Sequence, residues 1–200
     1  ENNDFNSMFL VVIQLGAILA VLILFWPRIW VLVKGLFRGE ARELGFWGIW
    51  ILGCVPAVIV GLLYSFFDID DILFNVPVVT AALFVGAVLL LFLEERHVKR
   101  ADAGGKMTED IYDISWRQAL IVGLAQCVSL WPGFSRSAST IMGGWLAGFS
   151  TSLAADYSFF LSIPIMFGAS GLELFTFSFA EVQTYQIIAL IAGFITAFVV

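Results

Sequence analysis

The sequence predicts an all-α fold, that of a polytopic membrane protein, and three observations carry that reading. Hydrophobic residues make up 60% of the 200 and charged residues only 13%, where a soluble domain holds about 45–50% apolar and about 25% charged residues. The apolar residues run on without the in–out alternation that membrane β-barrel strands require. All Lys and Arg except Arg136 fall in two polar stretches, the pattern of loops between spans. The bilayer is therefore the expected partner and no nucleic acid is expected, while the net charge of −6 by itself says little about partners. We read residues 1–200 as a single integral membrane domain.

Phe9 to Trp26 is the first span, long enough for the hydrocarbon core at about 1.5 Å per residue, with Gln14 its one polar residue and Pro27-Arg28 closing it. Ile29 to Phe37, apolar with basic residues interspersed, suits a short amphipathic helix in the interface. Phe46 to Phe67 is the second span, with Pro56 as a kink. The acidic loop Asp68-Ile69-Asp70-Asp71 follows, then a third span from Val76 to Leu93. Glu94 to Arg100 ends that span, and a polar loop runs to about Ser115 with His97, the only His, as a solvated loop residue. Trp116–Leu130 and Ile141–Phe149 are each too short to cross alone. Tyr157 to Phe175 is a further span with Pro164 inside, and residues 186–200 form another. Cys54 and Cys127 lie far apart in apolar sequence and read as small buried hydrophobes, with no metal spacing.

The basic residues orient this arrangement. Arg28, Lys34, Arg38 and Arg42 lie in one loop; Arg96, Lys99, Arg100, Lys106 and Arg117 lie in or beside another. Two spans separate the loops, so both fall on one side, and an excess of Lys and Arg marks that side as cytoplasmic. Residues 116–149 then enter from the cytoplasm. Two half-length helices joined by Pro132-Gly133 fit a re-entrant hairpin; one broken span is the alternative, and the break favours a tip covered by protein or water.

That tip carries the chemistry. Pro132 and Gly133 end the incoming helix, and Ser137 to Ser139 are good caps for the second. A half-helix N-terminus presents backbone N–H groups and a positive dipole end. Arg136 adds a planar donor fork suited to phosphate or carboxylate, and Ser135, Ser137, Ser139 and Thr140 add hydroxyls. Together they point to an anion site in the membrane, phosphate best of all. A hydroxyl nucleophile would need a nearby base, and this stretch has no His or carboxylate. The blander reading is a packed turn in which Arg136 pairs with Glu173 or Glu94. Gln126 and Gln14 either line the same cavity or bond across helices.

The block Gly123-Leu124-Ala125-Gln126-Cys127, leading into Trp131-Pro132-Gly133-Phe134-Ser135-Arg136-Ser137 and Thr140, resembles the bacterial undecaprenyl-diphosphate phosphatase family of the bacitracin-resistance type. Further matches run through Val12-Ile13-Gln14-Leu15-Gly16, Pro56-Ala57, Gly61, Glu94, Tyr157 to Leu161, Pro164 and Gly168-Ala169, so the resemblance spans the chain. It implies inverted-topology repeats with re-entrant helix hairpins, and the opposite senses of the spans starting at Phe9 and Tyr157 agree. It implies an enzyme of the bacterial inner membrane, with its site facing outward, that cleaves undecaprenyl diphosphate to the monophosphate carrier for cell-wall synthesis.

In that reading Arg136, Ser135, Ser137 and Thr140 are catalytic, while Gly133, Ser139, Gln126 and Gln14 line the substrate. The family implies a divalent cation, Mg or Ca, whose ligands are not in this chain. Its other motif, Glu-rich with a Ser-Ser-Thr-Gly-His ending, would precede Glu1, and its last helices would follow Val200. The chain is thus expected to hold one half of a site and to be inactive alone. The oligomeric state stays open, a homodimer included. Two other classes also stay open: a polyprenyl-phosphate transporter or flippase, whose broken helices would serve an anion equally well, and a protein that only sequesters lipid.

Overall fold

A computed structural model describes the backbone of residues 2–67, 73, 75–176 and 183–199. Eight α-helices fill these residues: α1 (Asn2–Leu24), α2 (Trp26–Arg38), α3 (Ala41–Phe66), α4 (Val76–Asp102), α5 (Trp116–Cys127), α6 (Arg136–Ala147), α7 (Thr151–Thr176) and α8 (Thr184–Val199). Short 3₁₀ turns at Ile111–Asp113 and Val128–Leu130 punctuate the chain. Among the described residues there is no strand, only one isolated bridge between Thr108 and Phe149. The expected acidic loop Asp68–Asp71 lies outside the described residues.

α3 and α4 are each long and apolar enough to cross a membrane, and the bent pair Met8–Leu24 and Trp26–Arg38 makes a third candidate if counted as one span. Only 6% of the apolar window of α4 is buried by the rest of the chain. Leu83, Phe84, Leu91 and Phe92 stand exposed on it, a surface of the kind that lipid or a packed helix covers. The molecule is accordingly an all-α, multi-pass membrane protein.

The helix boundaries follow from local chemistry and depart from the sequence reading in places. The chain bends by 74° between α1 and α2. Pro27 is the second residue of α2, where the N–H it lacks would have no helical partner. α2 covers the stretch read as amphipathic and buries Leu32. Asn75 starts α4 by accepting a 3.1 Å bond from the Val78 amide, with Pro again near the first turn. The expected loop from Glu94 to Arg100 is helical, because α4 continues to Asp102, past the last apolar turn. Lys99 and Glu95, one turn apart, pair on its exposed face.

His97, expected in solvent, is buried instead. Its ring stacks on Trp145 of α6 at 5.2 Å, and Nε2 lies 3.0 Å from the Thr151 hydroxyl at the start of α7. The extension of the helix turns His97 inward, which an isolated charged run in sequence does not reveal. α7 likewise begins at Thr151 rather than Tyr157, because Ser150 caps it with a 3.2 Å bond from the Leu153 amide.

The helices gather into two compact units, residues 1–34 with 162–200 and residues 35–161. In the first, α1 and α8 pack closely: Gly16 lies against the Phe194 carbonyl and Gly193 against the Phe9 ring. In the second, the short pair α5–α6 is set among α3, α4 and the first half of α7. Gly123 of α5 lies on the Gly53 carbonyl and Pro56 of α3, and Gly143 of α6 lies on Val122 and Ala125 of α5. The Trp50 indole donates to the Phe160 carbonyl at 2.9 Å and the Tyr157 phenol to the Ile49 carbonyl at 3.1 Å, cross-tying α3 to α7. On the polar side Arg42 pairs with Asp110 at 3.3 Å and covers the Tyr112 ring. Burial, reinforced by Glu43, raises the pKa of the Tyr112 phenol, which keeps it a donor toward Glu43 Oε1 at 3.4 Å.

A Cβ at position 123 would meet the Gly53 carbonyl and stand 3.0 Å from Pro56 Cγ. Gly123→Val should therefore push α5 off α3 and destabilise the protein by about 1–3 kcal/mol, the usual cost of overpacking. Thermal unfolding in detergent micelles checks this, with Gly48→Val, at a position with open space around it, as the matched control.

Candidate functional site

The site is built by the way α5 and α6 meet. At their open end Ser115 and Gln118 form a capping box. The Gln118 amide donates to Thr108 Oγ1 at 2.9 Å and to the Ala147 carbonyl at 3.0 Å. The start of α5 is thereby fastened to the end of α6, and the two helices run antiparallel. Gly148, with φ +88, closes α6.

At the closed end the 3₁₀ turn Val128–Leu130 leads into Trp131-Pro132-Gly133-Phe134. Gly133 has φ +95, and a Cβ there would stand 2.6 Å from the Val79 carbonyl of α4. Phe134 then plugs into α4, buried with Ala82 and Met142. The turn is thus pinned from both sides: by a backbone conformation that only Gly adopts readily, and by an aromatic anchor.

Helix α6 begins at Arg136, one turn earlier than the caps read from sequence, because Ser135 is the cap. Ser135 Oγ accepts from the Ala138 amide at 3.3 Å and lies 3.3 Å from Ser137 Oγ. The Ser139 amide bonds the Ser135 carbonyl. The amides of Arg136 and Ser137 have no hydrogen-bond partner among the described residues, so the first turn of α6 presents two free donors at its positive end. Arg136 makes no ion pair among the described residues. Glu94 does not pair with it, and the Glu173 side chain lies outside the described residues.

The remaining predicted site residues separate into three kinds. Ser135 and Ser137 are exposed and Arg136 is half-buried, all at the mouth of α6. Ser139 and Thr140 are 2% exposed and face the interior. The Ser139 hydroxyl donates to the Ser135 carbonyl at 2.9 Å. Thr140 Oγ1 lies 3.0 Å from the Arg136 carbonyl and 3.1 Å from that of Ser137. Gln126 is 2% exposed, on the same face of α5 as Ala119, Val122 and Gly123, and neither atom of its amide has a partner among the described residues. Gln14 is exposed and belongs to the other unit.

Sequence reasoning missed Ser158. Its hydroxyl lies 2.5 Å from that of Thr140 in a buried contact between α7 and α6. Nothing but its polarity within an apolar run marked it. For a divalent cation, no three His, Cys, Asp or Glu side chains come together among the described residues. These residues do not assemble a cation site, and the chemistry open to them is that of neutral donors and one guanidinium.

The described residues thus define a class: an all-α, multi-pass membrane protein with a helix broken between Cys127 and Arg136. Comparison with known sequences names the family. Residues 1–200 match the profile described as bacitracin resistance protein BacA, and the chain belongs to that family. It is 47% identical over 198 residues to an undecaprenyl-diphosphatase of Clostridium tetani, covering 98% of this chain and 70% of the relative. To the undecaprenyl-diphosphatase of Clostridium perfringens strain SM101 it is 43% identical over 222 residues, covering 100% of this chain and 72% of the relative. An undecaprenyl-diphosphatase 2 of Shewanella oneidensis is 40% identical over 194 residues, with 97% and 70% covered.

Gly133→Ala should cost roughly 1–3 kcal/mol through its strained φ, and the clash with Val79 adds to this. The turn should yield before the helices do. Hydrogen exchange is the check: the hydrogen-bonded amides of Trp131 and Phe134 should lose protection while those of α3 and α4 keep theirs.

Proposed function

We propose that this chain carries the phosphate-binding half of an undecaprenyl-diphosphatase, a hydrolase that removes the terminal phosphate of undecaprenyl diphosphate and so returns the lipid carrier to cell-wall synthesis. The observation that carries the reading is the mouth of α6: two free amides, two exposed hydroxyls and an arginine with no carboxylate partner among the described residues. The names of the relatives favour hydrolysis over transport. Each of these donors suits a phosphoryl oxygen.

The chemistry follows from where charge builds up. Phosphoryl transfer spreads negative charge over the three equatorial oxygens of the transferred group. Arg136 holds two of them through its fork. The amides of Arg136 and Ser137 and the hydroxyls of Ser135 and Ser137 complete the cradle, and they are set before the reaction rather than reorganised during it. Gly133 brings the turn close to α4 and keeps the cradle in place. No carboxylate or imidazole among the described residues contacts these hydroxyls, so the residues present bind and stabilise charge rather than generate a nucleophile. The isoprenyl tail lies along apolar helix faces. The hairpin enters from the cytoplasmic side of the inner membrane, and its tip serves a site that opens outward, as the two basic stretches favour.

In the full-length protein, Arg136→Ala should lower phosphate release from an isoprenyl diphosphate by about 10²–10³-fold, the range for losing one preorganised oxyanion donor, with thermal unfolding unchanged. Arg136→Lys should recover only part, since it restores charge without the fork. A near-normal kcat for Arg136→Ala would remove this residue from the reaction. No phosphate release from the parent protein in detergent, where no gradient exists, would favour transport instead.

A further inference from the structure

We propose that Ser158 is a positioning residue for the anion site, acting through Thr140 on the first turn of α6. The argument is a count of protons. Thr140 Oγ1 has three oxygen neighbours: the Arg136 carbonyl at 3.0 Å, the Ser137 carbonyl at 3.1 Å and the Ser158 hydroxyl at 2.5 Å. Carbonyls only accept, and Thr140 has a single hydroxyl proton. That proton goes to the carbonyls; aimed at Ser158 instead, it would leave lone pairs facing each other. Ser158 must therefore donate to Thr140. The bonds form a directed chain from Ser158 to Thr140 to the carbonyls of Arg136 and Ser137, the two residues whose amides open the site.

Two consequences follow. Thr140 has no proton left for a phosphate oxygen, so its part in the reaction is to hold the helix rather than to donate to the substrate or attack it. Ser158, 5% exposed, links α7 to the site. Each bond in such a chain polarises the next, and a back-bonded Thr biases the bend of its helix. The aim of Arg136 is thus set partly from α7. A misplacement of about 1 Å can cost a hundredfold in rate, so small changes here fall on kcat more than on KM.

The kinetic arm rests on the phosphatase reading; a binding arm does not. Full-length protein in detergent micelles is compared with Ser158→Ala, Thr140→Val and the double variant. Ser158→Ala should lower kcat about tenfold with KM nearly unchanged. Ser158→Cys, which keeps a weak donor, should fall between. The double variant should be no slower than the worse single one, because both break one chain. Binding of orthovanadate, a mimic of the transferred phosphoryl group, should weaken about tenfold in Ser158→Ala by calorimetry. The inference is overturned by multiplicative losses in the double variant. It is equally overturned if Ser158→Ala loses thermal stability alone, with kcat and vanadate affinity intact. If the parent binds vanadate yet releases no phosphate, the phosphatase reading falls, and the ratio of vanadate affinities still decides for or against Ser158. A parent that does neither removes both.

Discussion

Every unusual feature of this protein depends on one constraint: a helix broken inside apolar surroundings must have its freed backbone groups satisfied by protein. Between Cys127 and Arg136 the chain abandons α-helical geometry. Local bonds absorb most of the exposed groups: Trp131 to Val128, Phe134 to Trp131 and Ser139 to Ser135. The Ser135 hydroxyl takes one amide more. The amides of Arg136 and Ser137 at the start of α6 are among those left open, and a ligand anion would complete them.

The supporting shell exists to keep that point still. Gly123 and Gly143 let three backbones approach closely, which polar-free interfaces in lipid favour because dispersion, not water release, holds them. Phe134 anchors the turn to α4, Gln118 locks the opposite end, and the cross-ties of Trp50 and Tyr157 keep α3 and α7 in register. The hydrogen bonds among these contacts are directional, so they fix orientation as well as distance.

Much of this was legible in the sequence. Arg136 stood out because charge in apolar sequence has few uses, and Pro132-Gly133 announced the break through their own dihedral limits. The long spans followed from apolar length. What was not legible depends on which face of a helix meets which neighbour. His97 looked solvated because its neighbours in sequence are charged, yet the helical period turns it onto Trp145. Thr140 looked like a substrate donor because it sits beside Arg136 in sequence, while on a helix it lies one turn inward, against Ser158. Ser158 showed only as a polar residue within a matching apolar run, since its partner is on another helix. Gln14 looked equivalent to Gln126, but the fold puts it in a different unit.

The shortness of α5 bears on how the chain enters its membrane. Its 12 residues rise about 18 Å at 1.5 Å each, well short of the roughly 30 Å hydrocarbon core. Such a segment cannot drive its own passage out of the insertion machinery as a span. α3 and α4, made earlier and long enough, would have to be seated first and receive the pair from the side. Gln118, by tying α5 to Ala147 at the end of α6, makes that pair a closed cartridge whose polar ends stay at one surface. Biogenesis would then be ordered along the chain, with α3 and α4 receiving the α5–α6 pair before the first half of α7 closes over it.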